Sequence, residues 1–402
     1  MALTTARTDA NRSAVLAHLG AHGATSRADL ARALQLSPAL ITKLTRELIA
    51  EGLVRELELQ VSSGGRPAQL LGLSAKSLGA VGIKIAPDHL TFVEVGIDGA
   101  LQRTATEPFD AGDRLALHSL TTLTKRFVET ATHSTLLGIG VGLPGYVLEQ
   151  SEDVVDSTQL SWSQVPLGSA LRAATGLPVL IDNNVNALAL TEMLFGVGRG
   201  KEDLLVVTIG TGIGGAIVAG GTIVRGASGN AGEIGHIPVV EDGPLCQCGA
   251  RGCLESVVSQ GAILARAREE GIVGPDADLA ALRRAASEGE PRAVELFAFA
   301  GRTLGRTIAG VVNTLDPEVI VIQGEGAESW EHWSAGFELA LNASLIPRKR
   351  GIPIVVEGWQ DDRWAQGAAS LVLSTPFDAD GVSGEQGRLV RERLIDAAGE
   401  VA

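Results

Sequence analysis

The same succession of strand and helix patterns occurs twice along this 402-residue chain. In the first half, three β-like runs between residues 78 and 109 precede a helical pattern near 113–133 and the strand "LLGIGVGLPG". The second half repeats the plan with "DLLVVTIG", "GAIVAGGTIV", several helices between 253 and 314, and "EVIVIQGEG". This recurrence predicts a bilobed α/β body with a cleft between two similar halves.

Composition limits the classes of protein to which the chain can belong. With 45% hydrophobic and 20% charged residues, it can bury a full core, which excludes a disordered protein. The opening "MALTTARTDANRS" lacks the apolar stretch of a signal peptide, and no later segment approaches roughly 18 uninterrupted apolar residues. We therefore expect a cytoplasmic protein that does not cross a membrane and whose cysteines stay reduced.

The charge of the chain is unevenly distributed. The formal net charge is −14, but residues 1–70 carry eight Lys and Arg against six Asp and Glu, a net of +2, so the remainder carries −16. A mildly basic head on an acidic body indicates separate functions for the two parts.

Three short helical patterns and a pair of strands make up the basic head. After "NRSAVLAHLG", the run "TSRADLARALQLS" has Thr25 or Ser26 as its N-cap, and Pro38 suits the first turn of the next helix. "VRELELQVSSGGRPAQLLGL" then reads as two strands joined by the tip "SSGGRP", a wing. A generic three-helix bundle is the alternative, but the wing, a basic outward face and the charge contrast favour a winged helix-turn-helix that binds DNA.

The candidate DNA contacts lie on the last of the three helices and on the wing. In such a module the outward face of that helix enters the major groove, and the wing meets phosphate or the minor groove. The residues that we expect at the DNA are Ser37, Ala39, Thr42, Lys43, Arg46 and Arg66.

All three cysteines of the chain, Cys246, Cys248 and Cys253, fall within eight positions, and His236 lies ten residues upstream. This spacing lets three thiolates and one imidazole converge from one loop, which predicts a structural zinc site of the Cys3His type. Three free core cysteines beside an unrelated histidine are the alternative, but clustering of this kind disfavours it. Glu233 and Glu255 flank the predicted site, and we interpret them as ligand-binding carboxylates rather than as surface charges.

The glycine-rich run "GTGIGG" (210–215) nominally fits the G-x-G-x-x-G pattern of dinucleotide-binding proteins. A dinucleotide site would need a helix next, whereas the β-like "AIVAGGTIV" follows, so the run is predicted at a hairpin. Such a hairpin can offer backbone N–H groups to phosphate or pack closely against another strand.

The segments "GEIGH" (232–236) and "CQCGARGCLE" (246–255) resemble the signature of the ROK family, which contains repressors and sugar kinases. The likeness covers about residues 10–375 and includes "GLPG", "DNNVNALALTE" and "TIGTGIGGAI". It implies a winged helix-turn-helix followed by an actin-like, bilobed α/β body with a structural zinc site. Within the family, the chain is similar to the xylose and N-acetylglucosamine repressors.

The resemblance also implies which residues form each site. The Zn²⁺ ligands would be His236, Cys246, Cys248 and Cys253. Sugar hydroxyls would be met by Asn183, Asn184, Glu233, His236 and Glu255.

Two departures from the family pattern argue against kinase activity. Asn184 stands where the kinases carry the aspartate that deprotonates the sugar, and an amide cannot take that proton. Lys84, in "KIAPD", stands where the kinases carry the aspartate of a phosphate and Mg²⁺ motif. We therefore expect a protein that binds a sugar and does not phosphorylate it.

The combined prediction is a transcriptional repressor of carbohydrate genes that binds operator DNA as a homodimer or homotetramer and is released by a sugar or sugar phosphate. An ATP-dependent sugar kinase with an appended DNA module, or a regulator that answers to a protein partner, are the alternatives. The expected divisions are a DNA-binding domain, a first lobe with a late helix, a second lobe with both sites, and a tail. Their boundaries are 1–75, 76–182 with about 363–375, 183–362 and 376–402. A solvated tail is expected, and a short amphipathic helix through Leu389, Leu394 and Ile395 is the alternative.

Overall fold

A computed structural model describes residues 12, 15–16, 18–19, 22–50, 52–60, 68–74, 78–147, 153–375 and 384–399. The chain divides into two compact units, one made of residues 1–200 with 361–402 and the other of residues 201–360. Among the described residues, no helix combines the length and the apolar character that spanning a membrane requires.

The head of the first unit is a winged helix-turn-helix, as predicted. Its described elements after residue 22 are β1 (Thr25–Ser26), α1 (Arg27–Ala33), α2 (Pro38–Ala50), β2 (Val54–Gln60) and β3 (Ala68–Leu73). The three strands form one sheet in the order β1-β3-β2. Ser26 caps α1 as expected, because its hydroxyl accepts from the Asp29 N–H and donates to the Asp29 carboxylate.

The body of the first unit is built on a five-stranded sheet in the order β11-β7-β4-β5-β6, with a small sheet β10-β9-β8 beside it. The strands are β4 (Leu78–Ile85), β5 (His89–Gly96), β6 (Leu101–Pro108), β7 (Thr135–Leu143), β8 (Tyr146–Val147), β9 (Val155–Ser157), β10 (Trp162–Val165) and β11 (Val179–Asn183). The helices are α3 (Ala116–Glu129), α4 (Leu167–Thr175) and α5 (Asn184–Phe195).

The second unit repeats this sheet, in the order β14-β13-β12-β15-β16. In both sheets an antiparallel three-stranded meander continues into two parallel strands. The strands are β12 (Leu204–Ile209), β13 (Ile213–Ala219), β14 (Thr222–Ile223), β15 (Val319–Gln323) and β16 (Ile354–Val356). The helices are α6 (Leu254–Val258), α7 (Gln260–Glu269), α8 (Leu279–Ser287), α9 (Pro291–Leu315) and α10 (Trp330–Ser344). The predicted duplication is confirmed.

The late helix α11 (Asp361–Ser374) returns to the first unit and lies directly on its sheet. Glycines make this approach possible, because a Cβ at Gly140 would lie 1.7 Å from the Ala368 carbonyl oxygen and one at Gly82 would lie 1.9 Å from that of Ala365. The same device joins α9 to α10 in the second unit, where a Cβ at Gly305 would lie 2.3 Å from the Phe337 carbonyl oxygen.

The observed units differ from the expected boundaries at two places. The second lobe is expected to begin at residue 183, whereas α5 packs on α11 of the first unit, with Thr191 Oγ1 2.9 Å from Ser370 Oγ, and the second compact unit begins at Lys201. The solvated tail is wrong for residues 384–399, which form α12 (Gly384–Gly399). Val390 and Leu394 are buried in the core of the first unit because the helix packs beside β7 and β11.

We predict that Gly140→Ala destabilises the protein, whereas Gly142→Ala in the same strand is tolerated. An added methyl at Gly140 collides with backbone that cannot move without displacing α11, while at Gly142 its nearest contact is 3.5 Å away. Overpacking of this kind costs about 1–3 kcal/mol or more. Urea unfolding of the two variants, followed by circular dichroism, checks this. An equal loss of stability in both variants would show that the contact of Gly140 with α11 is not the cause of the destabilisation.

Candidate functional site

The predicted metal ligands come from three short segments of the second unit. His236 ends a 3-10 turn (Ile234–His236), Cys246 and Cys248 lie in the following loop, and Cys253 is the N-cap of α6. The loop folds back through a positive φ of 70° at Gly252, where a Cβ would lie 1.7 Å from the Val240 carbonyl oxygen. Glycine is therefore required at this position.

The four side chains meet, with one ligand atom from each lying within 4.8 Å of the others. Cys248 Sγ is 3.7 Å from Cys253 Sγ, and Cys246 Sγ is 3.5 Å from His236 Nδ1. Tetrahedral zinc with Zn–S of about 2.3 Å and Zn–N of about 2.0 Å places neighbouring ligand atoms about 3.5–3.8 Å apart. The cluster therefore fits a metal ion, and its three sulfurs and one nitrogen are ligands that zinc favours.

The thiols of this cluster differ in their surroundings. Burial raises the pKa of Cys246 and Cys253, whereas the hydrogen bond from the Ala250 backbone lowers the pKa of the exposed Cys248. A bound divalent cation would favour the thiolate form of all three.

Two carboxylates lie beside the imidazole of the cluster, as predicted. Glu255, on α6, has its Oε1 3.0 Å from Cys246 Sγ and 3.6 Å from His236 Nδ1. Glu233 Oε2 is 3.5 Å from His236 Nε2, and partial burial raises the pKa of this half-exposed carboxyl. The second unit thus brings Glu233, His236 and Glu255 together as a group that could accept hydrogen bonds from hydroxyls.

The remaining predicted sugar residues lie in the first unit. Asn183 is the N-cap of α5, where its side chain accepts from the Val185 N–H and donates to the Gly145 carbonyl oxygen. Asn184 is the first residue of that helix and is partly exposed. Lys84, which the sequence analysis compares with the phosphate motif of the kinases and not with the sugar residues, lies in β4 and is 9% exposed.

The run "GTGIGG" lies at the hairpin between β12 and β13, as the sequence predicts. One neighbour of this hairpin was missed by the sequence analysis. The carboxylate of Glu325 lies against Gly210, since a Cβ there would be 2.5 Å from Glu325 Oε2. The signal that could have found it is a single acidic residue between two glycines directly after β15, in "QGEG".

The predicted DNA-reading face of α2 is exposed. Ser37, Ala39, Thr42, Lys43 and Arg46 all face solvent, whereas Ile41, Leu44 and Leu48 are fully buried on the opposite side. Lys43 Nζ lies 3.9 Å from the Glu47 carboxylate, a weak surface pair. Arg66 is outside the described residues.

Comparison with known proteins defines the class. The ROK family profile matches residues 94–375, and a profile described as winged helix-turn-helix DNA-binding matches residues 8–55. The chain belongs to the ROK family and carries a winged helix-turn-helix in front of the family's body.

Individual relatives include both regulators and kinases. The N-acetylglucosamine repressor of Escherichia coli O6:H1 is 30% identical over 372 residues, which cover 90% of this chain and 92% of the repressor. A glucokinase of Halalkalibacterium halodurans is 37% identical over 229 residues, which cover 54% of this chain and 69% of the kinase.

A crystal structure of a ROK family transcriptional regulator, described as a homologue of the E. coli MLC protein, superposes with a TM-score of 0.79. It is 28% identical to this chain, and the match covers 97% of this chain and 99% of that one. The mixed α/β, actin-like body with a winged helix-turn-helix is therefore confirmed.

Proposed function

We propose that this protein is a transcriptional repressor of carbohydrate genes that binds operator DNA and is released by a sugar. The observation that carries the proposal is the combination within one chain of an exposed, basic recognition helix and the Glu233, His236 and Glu255 group beside a metal cluster. Full-length likeness to a sugar-named repressor supports it. We place the protein in the cytoplasm, where operator DNA is accessible.

In this proposal the head reads DNA and acts as part of a homodimer or homotetramer. Ser37, Ala39, Thr42, Lys43 and Arg46 lie at the major groove, and Arg66 reaches phosphate or the minor groove from the wing. Two heads must meet half-sites about 34–36 Å apart or a multiple of that spacing, so a modest change in their separation lowers operator affinity. Residues 1–75 are assigned this role.

The sugar acts by binding one arrangement of the body more tightly than another. We assign the contacts to its hydroxyls to Asn183, Asn184, Glu233, His236 and Glu255. Only differential affinity between two conformations can shift the operator-bound population, so the sugar must favour the arrangement that binds DNA weakly.

The metal in this proposal is a structural Zn²⁺ held by His236, Cys246, Cys248 and Cys253. The ligand-atom distances and the three-sulfur, one-nitrogen donor set support zinc over harder cations. Zinc would fix the loop that carries His236 and Cys253, and through them the neighbouring carboxylates.

A sugar kinase is the second candidate, favoured by the 37% identity to a glucokinase over part of the body. Against it, the amide of Asn184 cannot act as the general base, and Lys84 replaces an acidic metal-binding residue. General-base catalysis is worth about 10²–10⁴-fold in rate. ATP-dependent phosphorylation of glucose or N-acetylglucosamine that Glu233→Ala abolishes would establish the kinase instead.

We expect the full-length protein to bind DNA upstream of its own or neighbouring genes, and one sugar of a panel to release it. A gel shift titrated with glucose, N-acetylglucosamine, xylose and their phosphates measures this. Glu233→Gln should retain operator affinity and lose the sugar response, since it removes a carboxylate acceptor. Glu241→Gln, an exposed residue of the metal loop, is the control. Binding that no sugar changes would indicate a protein effector, and binding to no fragment would refute the DNA assignment.

We expect Arg46→Ala and Lys43→Ala each to weaken operator binding by about 5–150-fold, because a good base contact contributes about 1–3 kcal/mol. A residue that contacts phosphate instead lowers affinity for all sequences and reduces the salt slope by about 1. Lys125→Ala, a similarly exposed lysine on α3, should have no effect. Binding unaffected by both head variants would remove α2 from the interface.

We expect about one zinc ion per chain in the purified protein, detected by inductively coupled plasma mass spectrometry. Cys253→Ser should lose the metal and lower the melting temperature, because metal binding contributes to folding and each 1 kcal/mol is worth roughly 2–4 °C in a unit of this size. Glu241→Gln should keep the ion. Zinc-free wild-type protein that cannot be loaded with zinc would contradict the assignment.

A further inference from the structure

The head and the body of the first unit share one buried apolar cluster. Leu19 and Leu48 of the head belong to it together with Leu78 of β4 and Leu194 of α5. The head therefore packs on the body. Because buried contacts are closely packed, the elements of the body that reach this junction set the orientation of the head.

Helix α5 runs from the candidate sugar residues to this junction. Its N-cap is Asn183, its first residue is Asn184, and its 12 residues span about 18 Å before it ends at Phe195. One side of α5 is held on α11, since a Cβ at Gly367 would lie 3.0 Å from the Leu188 backbone nitrogen. Packed helices shift as rigid elements, so a displacement of the first turn of α5 is passed to its last turn.

The ring of Phe195 lies against the turn between β5 and β6. A Cβ at Gly99, which has a φ of 83°, would lie 2.7 Å from Phe195 Cδ1. In the same turn, the Asp98 carboxylate lies 3.8 Å from the guanidinium of Arg55 in strand β2 of the wing. The last residue of α5 thus touches a turn that is paired with the wing.

Arg199, which follows α5 closely in the chain, joins the end of that helix to the first helical segment of the head. Its Nε and Nη2 donate to the Leu194 carbonyl oxygen at 3.1 and 2.8 Å. Its Nη1 lies against Gly23, where a Cβ would be 2.5 Å away. The Gly23 N–H donates to the Leu19 carbonyl oxygen and closes the helical segment that precedes β1. Helix C-termini carry partial negative charge, so the one guanidinium is favourable at both ends.

A local cap of α5 is the alternative role for Arg199, because basic side chains often bond the last carbonyls of a helix. Such a cap needs only the two bonds to Leu194. The third nitrogen lies on Gly23, whose positive φ of 74° and missing side chain admit it. This contact between body and head distinguishes Arg199 from a local cap.

We propose that Arg199 and Phe195 couple the sugar site to the DNA-binding head. Sugar bound at Asn183 and Asn184 displaces α5, and the two contacts pass this displacement to the first helical segment of the head and to the wing. The inference rests on the proposed function and specifies how the sugar changes operator affinity. In this scheme Arg199 is a positioning residue, which acts through the head and contacts neither sugar nor DNA.

Two measurements on the full-length protein separate coupling from binding. Fluorescence anisotropy gives the Kd for labelled DNA from upstream of its own and neighbouring genes, without sugar and with saturating glucose, N-acetylglucosamine or xylose. Isothermal titration gives the affinity for each sugar without DNA. The variants are Arg199→Ala and Phe195→Leu, and Arg114→Ala, at an exposed arginine of the same unit, is the control. Circular dichroism melting shows that each variant folds.

We expect the sugar that binds to weaken operator binding of the wild-type protein by about 5–150-fold, the usual range of such coupling. Arg199→Ala should reduce this factor about fivefold or more and leave the sugar affinity within about twofold, because the coupling contact is lost while the sugar residues are intact. Phe195→Leu should also reduce the factor, and Arg114→Ala should behave as wild type.

A response in Arg199→Ala equal to that of Arg114→Ala overturns the proposal. A loss of sugar affinity in Arg199→Ala that accounts for the smaller response also overturns it, since Arg199 would then act on the sugar site itself. Both results leave the sugar-released repressor standing. Wild-type protein that binds a sugar and keeps its operator affinity, or that binds no sugar of the panel, rejects the sugar-released repressor and the coupling together.

Discussion

Both units depend on glycines at which two segments of backbone approach each other more closely than a side chain would allow. In the first unit, α11 lies so near the sheet that no side chain fits at Gly82 or Gly140. In the second, Gly301 and Gly305 let α9 lie against α10, with Cβ positions only 2.3 Å from carbonyl oxygens of the partner helix. Glycine costs conformational entropy on folding, but here it allows apolar faces to be buried at a separation that any larger residue would prevent.

Glycines also permit close contacts within the candidate site. Gly252 lets the cysteine loop turn back on Val240, so that Cys246, Cys248 and Cys253 reach His236. Gly212 accommodates the Glu255 carboxylate at the hairpin. The cysteine and histidine cluster, the Glu255 carboxylate and the glycine hairpin are thus in contact within the second unit.

The ROK family contains both kinases and regulators, so the residues at the sugar and phosphate positions help to distinguish the two functions. In the proposed function, Glu233, His236 and Glu255 accept hydrogen bonds from sugar hydroxyls, and Asn184 and Lys84 stand where the resemblance to the family's kinases implies acidic residues. Glu325 places its carboxylate beside Gly210 of the glycine hairpin. These features fit a protein that keeps sugar recognition while a separate winged helix-turn-helix supplies the output.

The sequence by itself determined the duplicated strand order, the winged head with a helix cap at Thr25 or Ser26, the hairpin at 210–215 and the four residues of the cysteine and histidine cluster. Each depends on local patterns: alternation of apolar residues, capping chemistry, or ligands within a few positions of one another. Tertiary structure alone decided that α5 belongs with α11, that residues 384–399 pack as a helix, and that Glu325 reaches Gly210. These contacts join residues from about 115 to more than 200 positions apart, and a close fit between distant backbones leaves no periodic signal in the sequence.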